Sequence, residues 1–502
     1  MPNINKVSEY EERIKKLANL KKEGLPAGRQ GINPYPAKSK RTHLAKAVLL
    51  DFAKLEKTHD PVALAGRLRS LRSHGNLTFA NLEDESGKIQ IAVSKKEVGD
   101  KNYKIFEKFI DIGDFIEVKG ECFITHKGEK SVLVKNWKLL AKTLRPLPDK
   151  WSGFKDEEER FRKRYLDILF NPEVKEMIAK RAKFWQATRE FLIKKGFLEV
   201  ETPVLEITTG GADARPFITR HNALGLDAYL RISAGELWQK KLMVAGLEKV
   251  FEIGRIFRNE GMDSEHLQDY TQMEFYWAYA DYEEGMNLVE EMYKYIAQET
   301  FGTLKFKIKG FTIDLGKKWE KYDYCQTIKK KTGIDILKTS EKEIKDKLNK
   351  LGVEYDKKGF NITRAIDNLW KYCRKQIAGP GFLVGAPITV SPLAKRDDKN
   401  PEIAQRFQVI LAGSELGNGY SELNDPTDQE ERFRQQQKLR EAGDEEAQMF
   451  DKDFVEALEY GMPPTCGFGF SERLFAFFMD KPLRETQIFP LMRPKGRDNS
   501  NQ

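Results

Sequence analysis

Two segments of this 502-residue chain carry acidic, amide and hydroxyl side chains at every second position, the spacing of one face of a β-strand. The polar members are Gln272, Glu274 and Tyr276 in the first segment and Asn418, Tyr420 and Glu422 in the second. Large apolar residues alternate with the first three, so the opposite face of that strand must lie on a core. Carboxylates beside a core are costly unless they find partners, and a binding pocket would supply them. Glutamates there would offer anionic acceptors to an ammonium group.

Two further segments carry arginines that could meet phosphate groups. Residues 249–260 read as a strand that ends in polar residues, with Arg258 near its end. Residues 463–473 carry glycines ahead of Arg473, which opens an apolar helix, and glycines at that place permit the close approach of a ligand. Each feature alone also fits an ordinary role, such as a surface charge, an ion pair or a packing glycine. Their combination favours a binding site.

The elements that must position these residues fall into several parts. Residues 1–60 read as a helical extension and loop, with a basic helix at 5–24 that is either a solvated surface helix or an RNA contact, and a small insertion at 25–31. In 61–141, strands are predicted at Val62–Leu68, Leu77–Asp84, Lys88–Val93, Phe115–Ile124 and Ser131–Leu140. A helix near 101–110 separates the third strand from the fourth. That order indicates an OB-fold barrel, a common binder of single-stranded nucleic acid.

A linker over 142–165 precedes one large α+β domain, residues 166–502. Its first helix is predicted over 172–195, because Pro172 suits the first turn of a helix. A Lys-rich pattern predicts a helical insertion at about 323–378.

Composition sets broad limits on the class of protein. Hydrophobic residues make up 40% and charged residues 32% of the chain, which is a globular composition. The net charge of +9 fits a phosphate-bearing partner but is modest. No apolar run approaches the ~18 to 20 residues of a membrane span, and the charged N-terminus has no signal-peptide core. The four cysteines lack CxxC spacing, which argues against a zinc site or disulfide framework and favours the cytoplasm.

In chain order, these segments resemble the three signature motifs of class II aminoacyl-tRNA synthetases. Phe197–Leu205 is similar to the first motif, Phe257–Glu260 with its strand pair to the second, and Gly467–Arg473 to the third. Within the class, the resemblance is to the lysyl-tRNA synthetase family. The segments that carry it are Arg145–Lys150, Arg164–Asp167, Gly210–Phe217, Ser391–Lys395, Gly417–Asp425 and Phe489–Pro494. The class I phosphate signatures are absent.

The resemblance implies a fold, a reaction and partners. The fold would be α+β, with an N-terminal OB-fold β-barrel followed by a class II catalytic domain built on an antiparallel β-sheet flanked by helices. Residues 61–141 would then be the anticodon-binding domain. The reaction would join L-lysine to tRNA(Lys) through a lysyl-adenylate, with ATP as a substrate and Mg2+ as cofactor. The enzyme would be a cytoplasmic homodimer with no membrane segment.

The resemblance also implies roles for single residues. Arg258 would bind the ATP α-phosphate and the lysine carboxylate, Glu260 the adenine amino group and Arg473 the γ-phosphate, and these three would form the catalytic set. The other ATP-binding residues would be His266, Tyr270 and Glu415, of which Glu415 would ligate magnesium. The lysine site would comprise Gly210, Glu236, Glu274, Tyr276, Asn418, Tyr420 and Glu422. The anticodon would be read by Arg72, Phe79, Gln90 and Glu129, with Phe79 stacking on a base.

Four features depart from the family's pattern. Gln408 stands where the family usually has a second magnesium-binding glutamate, which leaves the number of metal ions open. The segment Arg231–Glu236 is one residue longer than usual, and the glycine run before Arg473 is one residue shorter. The segment His266–Tyr270 also differs from the usual sequence, and Gln272 is similar to the aspartyl branch of the class.

Three alternative functions stay open from the sequence. A class II synthetase specific for aspartate or asparagine is disfavoured by Glu274 and Glu422, because an aspartate pocket would need cations there. An enzyme that lysylates a translation factor shares this catalytic domain but typically lacks the barrel predicted at 61–141. A non-catalytic RNA-binding or regulatory paralogue is favoured by Gln408 and opposed by the retained residues of the ATP site, such as Arg258.

Overall fold

The chain divides into two units, Met1–Lys155 and Asp156–Gln502. A computed structural model describes residues 8–22, 32–148, 156–212, 214–261, 266–355, 360, 362–444 and 446–494. The small insertion predicted at 25–31 lies outside the described residues. Across the parts that are described, no helix combines the length and the apolar character needed to span a membrane.

The first unit is built on a closed barrel of five strands. Its elements are α1 (Glu9–Lys22), α2 (Ala45–Leu50), α3 (Phe52–Thr58), β1 (Val62–His74), β2 (Leu77–Glu83), β3 (Lys88–Ser94), α4 (Lys95–Val98), α5 (Asp100–Phe109), β4 (Phe115–Ile124) and β5 (Lys130–Ala141). The strands close in the order β1-β2-β3-β5-β4, and every pair is antiparallel except β3 with β5. Helix α5 lies between the third and fourth strands, as predicted for an OB-fold.

Strand periodicity explains why this barrel forms. In β3, Ile89, Ile91 and Val93 are buried in the core at every second position, whereas Lys88 is exposed and Gln90 is partly buried. The small side chain of Ala92 is buried on the other face of the strand. Each fully buried aliphatic side chain contributes about 1.5–3 kcal/mol relative to an exposed one. The closed order leaves no strand edge within the barrel unpaired.

The predicted basic helix at 5–24 is anchored to the rest of the first unit. In α1, Leu20 is fully buried, and the guanidinium of Arg13 donates to the main-chain oxygens of Ile112 and Thr143 at 3.1 and 3.3 Å. One side of α1 therefore packs against its own unit and is shielded from solvent.

The second unit contains the remaining elements. They are α6 (Glu157–Arg162), α7 (Arg164–Phe170), α8 (Pro172–Lys194), β6 (Leu198–Glu199), β7 (Leu205–Glu206), β8 (Ile218–His221), β9 (Leu226–Leu230), α9 (Glu236–Val244), β10 (Lys249–Phe257), β11 (Asp269–Ala278), α10 (Tyr282–Phe301), β12 (Lys305–Ile308), β13 (Phe311–Asp314), β14 (Glu320–Asp323), α11 (Tyr324–Thr332), α12 (Glu341–Leu351), α13 (Ile362–Arg374), β15 (Gly381–Val384), β16 (Arg406–Leu411), β17 (Ser414–Ser421), α14 (Pro426–Glu441), α15 (Lys452–Glu459), β18 (Thr465–Ser471) and α16 (Arg473–Phe478). Short 3-10 helices cover Ile388–Val390 and Leu483–Thr486.

An eight-stranded sheet forms the centre of this unit, in the order β14-β15-β16-β17-β18-β11-β10-β6. Its neighbours are antiparallel except for the parallel pairs at the two ends. Helix α10 packs against one face, where Val289, Met292 and Ile296 are fully buried at helical spacing. A capping box between Asp281 and Glu284 begins that helix. Alternate residues of the central strands therefore point away from this core.

The segment between β14 and β15 forms helices α11, α12 and α13, whose apolar core also includes Leu383 of β15 and Ile410 of β16. Tyr324 and Trp370 meet in that core with ring centroids 5.2 Å apart. A helical segment thus lies within the chain limits for which the sequence predicts an insertion.

Candidate active site

Three neighbouring strands bring the two predicted polar faces together. Strand β18 lies between β11 and β17, and its glycines stand opposite the polar residues of both. Glu274 and Asn418 both pair with Gly469, while Tyr276 and Tyr420 both pair with Gly467. Side chains in the same register position share a face of the sheet, so these residues converge on the face away from α10.

The two glycines of β18 make room for carboxylates. A Cβ atom on Gly467 would overlap a carboxylate oxygen of Glu422, and one on Gly469 would lie 2.8 Å from Glu274 Cγ. No side chain can therefore replace either hydrogen without displacing an acid. Glycine at these two positions therefore lets the acids pack directly against β18.

These residues line a cavity of about 340 Å³, which we name the acidic cavity. Among the residues that line it are Arg258, Glu236, Glu274, Tyr276, Asn418, Tyr420 and Glu422. A surface groove of about 880 Å³ between α14 and α15 is larger, but none of its lining residues belongs to the predicted site. We attach function to the smaller cavity because its acids are buried and convergent.

Glu274 is held by three neutral donors. Its Oε1 accepts from the Ala234 main-chain N–H at 2.8 Å and from the Gln272 amide at 2.6 Å, and its Oε2 accepts from the Tyr276 hydroxyl at 3.0 Å. Burial and, to a smaller extent, the nearby Glu236 carboxylate raise the pKa of Glu274 to about 7. The carboxyl is thus fixed in place but titrates near neutrality when the cavity contains no cationic ligand.

The other two acids of the cavity share a lysine of the protein. Glu236 begins α9, and Lys240 lies one turn later, with its Nζ 2.7 Å from Glu236 Oε1 and 2.5 Å from Glu422 Oε2. Glu236 also accepts from the Tyr420 hydroxyl. Burial alone would lower the pKa of Lys240, but the two carboxylates raise it, so the lysine is charged. Burial raises the pKa of Glu422, and Lys240 opposes that shift.

A second cavity of about 300 Å³ adjoins the first, and we name it the arginine cavity. Among the residues that line it are Arg258, His266, Tyr270, Gln408, Glu415, Asn418 and Arg473. Arg258 and Asn418 line both cavities, so a ligand in one would meet a ligand in the other beside them. The amide of Asn418 is oriented by Arg406, whose Nε donates to its Oδ1 at 2.8 Å.

Arg258 is positioned by its place just after β10. Its main-chain N–H donates to the Gln268 carbonyl at 2.7 Å, its Nε donates to the Ile232 carbonyl at 3.3 Å, and its guanidinium carbon lies 5.8 Å from the centre of the Tyr270 ring. Burial raises the pKa of the Tyr270 hydroxyl, and the carboxylate of Glu260 also raises it. Glu260 itself is not among the residues that line the cavity.

Glu415 and Gln408 bring side-chain oxygens that could ligate a metal ion into the arginine cavity. The Trp370 indole N–H donates to Glu415, and Arg374 Nε lies 3.9 Å from the same oxygen. Within the described ranges, no group of three or more His, Cys, Asp or Glu could hold a metal ion. One carboxylate and one amide nevertheless fit Mg2+, which usually binds one or two protein oxygens together with substrate phosphates.

The four predicted anticodon residues lie along one part of the barrel in the first unit. Arg72 of β1 pairs with Phe79 of β2, and Gln90 of β3 pairs with Ser131 of β5. Glu129 lies in the turn that leads into β5, where its carbonyl accepts from the Ser131 hydroxyl at 3.2 Å. An aromatic ring with an arginine, an amide and a carboxylate on neighbouring strands suits a stacked, unpaired base.

Comparisons with known proteins show which families this chain resembles. Residues 156–493 match the model of class II tRNA synthetases (D, K and N), and residues 62–140 match that of the OB-fold nucleic acid binding domain. A lysine–tRNA ligase of Thermoanaerobacter pseudethanolicus is 47% identical over 97% of both chains. Those of Pelotomaculum thermopropionicum and Thermosipho africanus are 44% and 45% identical, over 99% and 93% of this chain and 98% and 93% of their own.

The chain belongs to the lysine–tRNA ligase family of class II tRNA synthetases. Membership in this family confirms the predicted resemblance, and the two matched regions confirm the predicted fold of an OB-fold barrel followed by a class II domain. The roles of single residues stay predictions.

In this lysine–tRNA ligase family member, the predicted site residues fall into three groups. Nearly all of the lysine-site residues line the acidic cavity; the exception is Gly210, which precedes the lining residue Gly211 and accepts from the Ser233 hydroxyl at 3.1 Å. Of the ATP-site residues, Glu260 alone is not among those that line the arginine cavity. The anticodon-site residues belong to the first unit.

Sequence reasoning missed the residues that hold the acids. Lys240 could have been found by its spacing of four from Glu236 on a predicted helix, since such residues meet on one helix face. Trp370 and Arg374 carry no such signal, because they reach Glu415 from the helices between β14 and β15.

Proposed function

We propose that this chain joins L-lysine to tRNA(Lys) in an ATP-dependent reaction that passes through a lysyl-adenylate. The observation that carries the proposal is a buried acidic cavity that adjoins an arginine-lined cavity at Arg258. An ammonium side chain needs anionic acceptors, and a triphosphate needs cations. The adjoining cavities offer both, with the reacting groups meeting at their junction.

The acidic cavity would orient lysine at both of its ammonium groups. The ε-ammonium would lie between Glu274 and Glu422, whose carboxylates are 4% and 1% exposed. The α-ammonium would meet Glu236, and the carboxylate would point to Arg258 at the opening towards the second cavity. Aspartate and asparagine lack a cationic side chain and would leave the two deep acids unpaired, which is costly.

The arginine cavity would hold ATP with its α-phosphorus next to the lysine carboxylate. Tyr270 and Arg473 would hold the adenine between them, Glu260 would accept from its amino group, and His266 would lie near the phosphates. Glu415 with Gln408 would hold Mg2+, which supplies neutralisation of phosphate charge when bound.

The first step would need no side-chain nucleophile. The lysine carboxylate attacks the α-phosphorus in line, the bond to the bridging oxygen breaks, and pyrophosphate leaves with that electron pair. Arg258 contributes by holding both reactants and by balancing the charge that develops on the α-phosphate. A ribose hydroxyl of the terminal adenosine of tRNA then attacks the lysyl carbonyl, and AMP leaves.

The barrel and the exposed strands would supply the macromolecular contacts. Residues 61–141 would bind the anticodon, with 1–60 as an extension, 142–165 as a linker and 166–502 as the catalytic domain, into which a helical segment at 323–378 is inserted. Leu198, Leu205 and Ile218 on β6, β7 and β8 are more than half exposed, which supports a homodimer through this surface. A cytoplasmic location is part of the proposal.

The alternative functions are less well supported. An enzyme that acts on a translation factor would not need the barrel, whose strand face offers Phe79 beside Arg72. A non-catalytic paralogue would not need to retain Arg258 and Arg473 in one cavity with Glu415.

Charging of tRNA by the full-length protein tests the proposal. Lysine, ATP, Mg2+ and a tRNA(Lys) transcript should yield lysyl-tRNA, and a transcript with an unrelated anticodon should be charged far less. Charging of tRNA(Asp) or tRNA(Asn), or modification of a protein in place of tRNA, would replace the proposal with one of the alternatives. A folded protein that charges no tRNA would favour the paralogue.

A further inference from the structure

Lys240 contacts two acids of the acidic cavity from behind. Its side chain is 1% exposed and does not line the cavity, yet its Nζ lies 2.7 Å from Glu236 and 2.5 Å from Glu422. Both acids do line the cavity. Lys240 therefore affects the cavity only through the two carboxylates with which it pairs.

Aromatic rings enclose the remaining sides of this ammonium group. The ring centres of Tyr276, Tyr420 and Phe454 lie 5.9, 5.4 and 5.9 Å from Lys240 Nζ. A buried cation is costly, and well-packed apolar residues are often as stable or more stable in its place. Stability of the fold alone is therefore a weak reason for a lysine at this position.

The number of charges in the cavity supplies a stronger reason. Glu236, Glu274 and Glu422 are three buried carboxylates, and Lys240 balances one of them. Two negative charges remain for a ligand. Free lysine brings two ammonium groups, and its single carboxylate is matched by Arg258 at the cavity opening. Arg406 also lines the cavity, but it donates to Asn418 beside the second cavity, on the side where the lysine carboxylate and ATP would lie. The three acids themselves therefore match the two ammonium groups of lysine when Lys240 is counted.

We infer that Lys240 is a resident counter-ion that matches the charge of the acidic cavity to the two ammonium groups of lysine and positions Glu236 and Glu422 to receive them. This inference rests on the proposed function. Lys240 is a positioning residue, because it acts through the two carboxylates and does not contact the reacting atoms.

Charge-removing and charge-keeping variants test this role in lysine-dependent ATP–pyrophosphate exchange. At pH 8, K240M should raise the KM for lysine about 100-fold and leave the KM for ATP within about twofold, since one buried acid loses its partner. K240R keeps the charge and should recover most of the loss. Lys241 on the same helix stacks on Trp238, and K241M is the matched control that should leave both KM values unchanged.

A second variant separates charge matching from a purely structural role and does not depend on K240M folding. E422Q alone leaves Lys240 with one acid fewer, whereas the double variant K240M/E422Q again has two net negative charges. We expect the double variant to show a KM for lysine about tenfold lower than E422Q alone, because the two changes are coupled. Thermal unfolding of each variant reports folding separately.

The outcomes distinguish a failure of this inference from a failure of the proposed function on which it rests. A wild-type protein without lysine-dependent exchange overturns the proposed function and the inference together. Wild-type exchange with a double variant no better than E422Q overturns the inference alone. An increase in both KM values for K240M, or a K240R variant as poor as K240M, would show that Lys240 serves the fold and not the charge of the cavity.

Discussion

The acidic cavity and the arginine cavity share a sheet but are built differently. In the acidic cavity, the acids lie in β11, just after β17 and at the start of α9. They are at most 5% exposed and have partners within the protein, such as Lys240 for Glu422. The charged groups of the arginine cavity, which include Arg258, Glu415 and Arg473, are only partly buried. This cavity has Gln408 beside Glu415.

The difference indicates that the acidic cavity selects the amino acid, whereas the arginine cavity promotes the reaction. Groups that are buried and paired before a ligand arrives need little reorganisation, which suits discrimination between amino acids. Groups that act on the α-phosphate must stabilise charge that develops during the reaction. Changes in the acidic cavity should therefore alter the KM for lysine, whereas changes in the arginine cavity should alter the rate.

The largest expected effect comes from Arg258, which belongs to both cavities. R258A should lower the rate of lysine-dependent ATP–pyrophosphate exchange about 1000-fold or more, because one cation that stabilises the transition state is removed. R434A, on the exposed side of α14 where Arg434 pairs with Glu430, is the control and should be active. Retained activity in R258A would contradict the role assigned to the junction.

Replacing a buried acid with a neutral amide should weaken the binding of lysine and leave the binding of ATP unchanged. E274Q should raise the KM for lysine about 100-fold, because the ε-ammonium loses a buried charged partner, and should change the KM for ATP little. E283Q, at an exposed position of α10, is the matched control. Equal effects of E274Q on both substrates would show that the two cavities are not separable.

The pH dependence should follow the acidic cavity. Because the pKa of Glu274 is raised to about 7, the carboxyl is protonated below that pH and ionised above it. The ionised form binds the ammonium group, so kcat/KM for lysine should rise about tenfold between pH 6 and pH 8 and then level off. E274Q should abolish the rise. A rise that persists in E274Q would assign the titration to another group.

The smallest expected effect concerns the metal. Q408E adds a second carboxylate beside Glu415 and should lower the Mg2+ concentration for half-maximal exchange about threefold, because Mg2+ favours charged oxygen ligands. The KM for lysine should stay the same. An unchanged Mg2+ dependence would place Gln408 outside the metal site and weaken the division between the cavities.

The parts of the site that follow local periodicity could be predicted from the sequence. Alternation in β11 and β17 predicted Glu274, Tyr276 and Tyr420 on one face, and the glycines of β18 indicated space beside them. Strand spacing and a helix between the third and fourth strands predicted the barrel. These features depend on neighbours in the chain, and local pattern is what periodicity detects.

Contacts between distant segments could not be predicted in the same way. The pairing of Lys240 with Glu422 requires α9 to pack beside β17, and the contact of Trp370 with Glu415 requires the helices between β14 and β15 to reach the same sheet. Both depend on tertiary packing. The charge balance of the acidic cavity, and with it the shift in the pKa of Glu274, is a property of the folded site.

Amino-acid-dependent ATP–pyrophosphate exchange, measured for all standard amino acids with Mg2+, tests the central claim most directly. We expect exchange with lysine alone, because the acids of the cavity match two ammonium groups and Arg258 matches one carboxylate. Exchange with aspartate or asparagine would keep the fold and contradict the assignment of Glu274 and Glu422. No exchange with any amino acid, in folded protein, would contradict the proposed chemistry and make Gln408 the central feature of a non-catalytic paralogue.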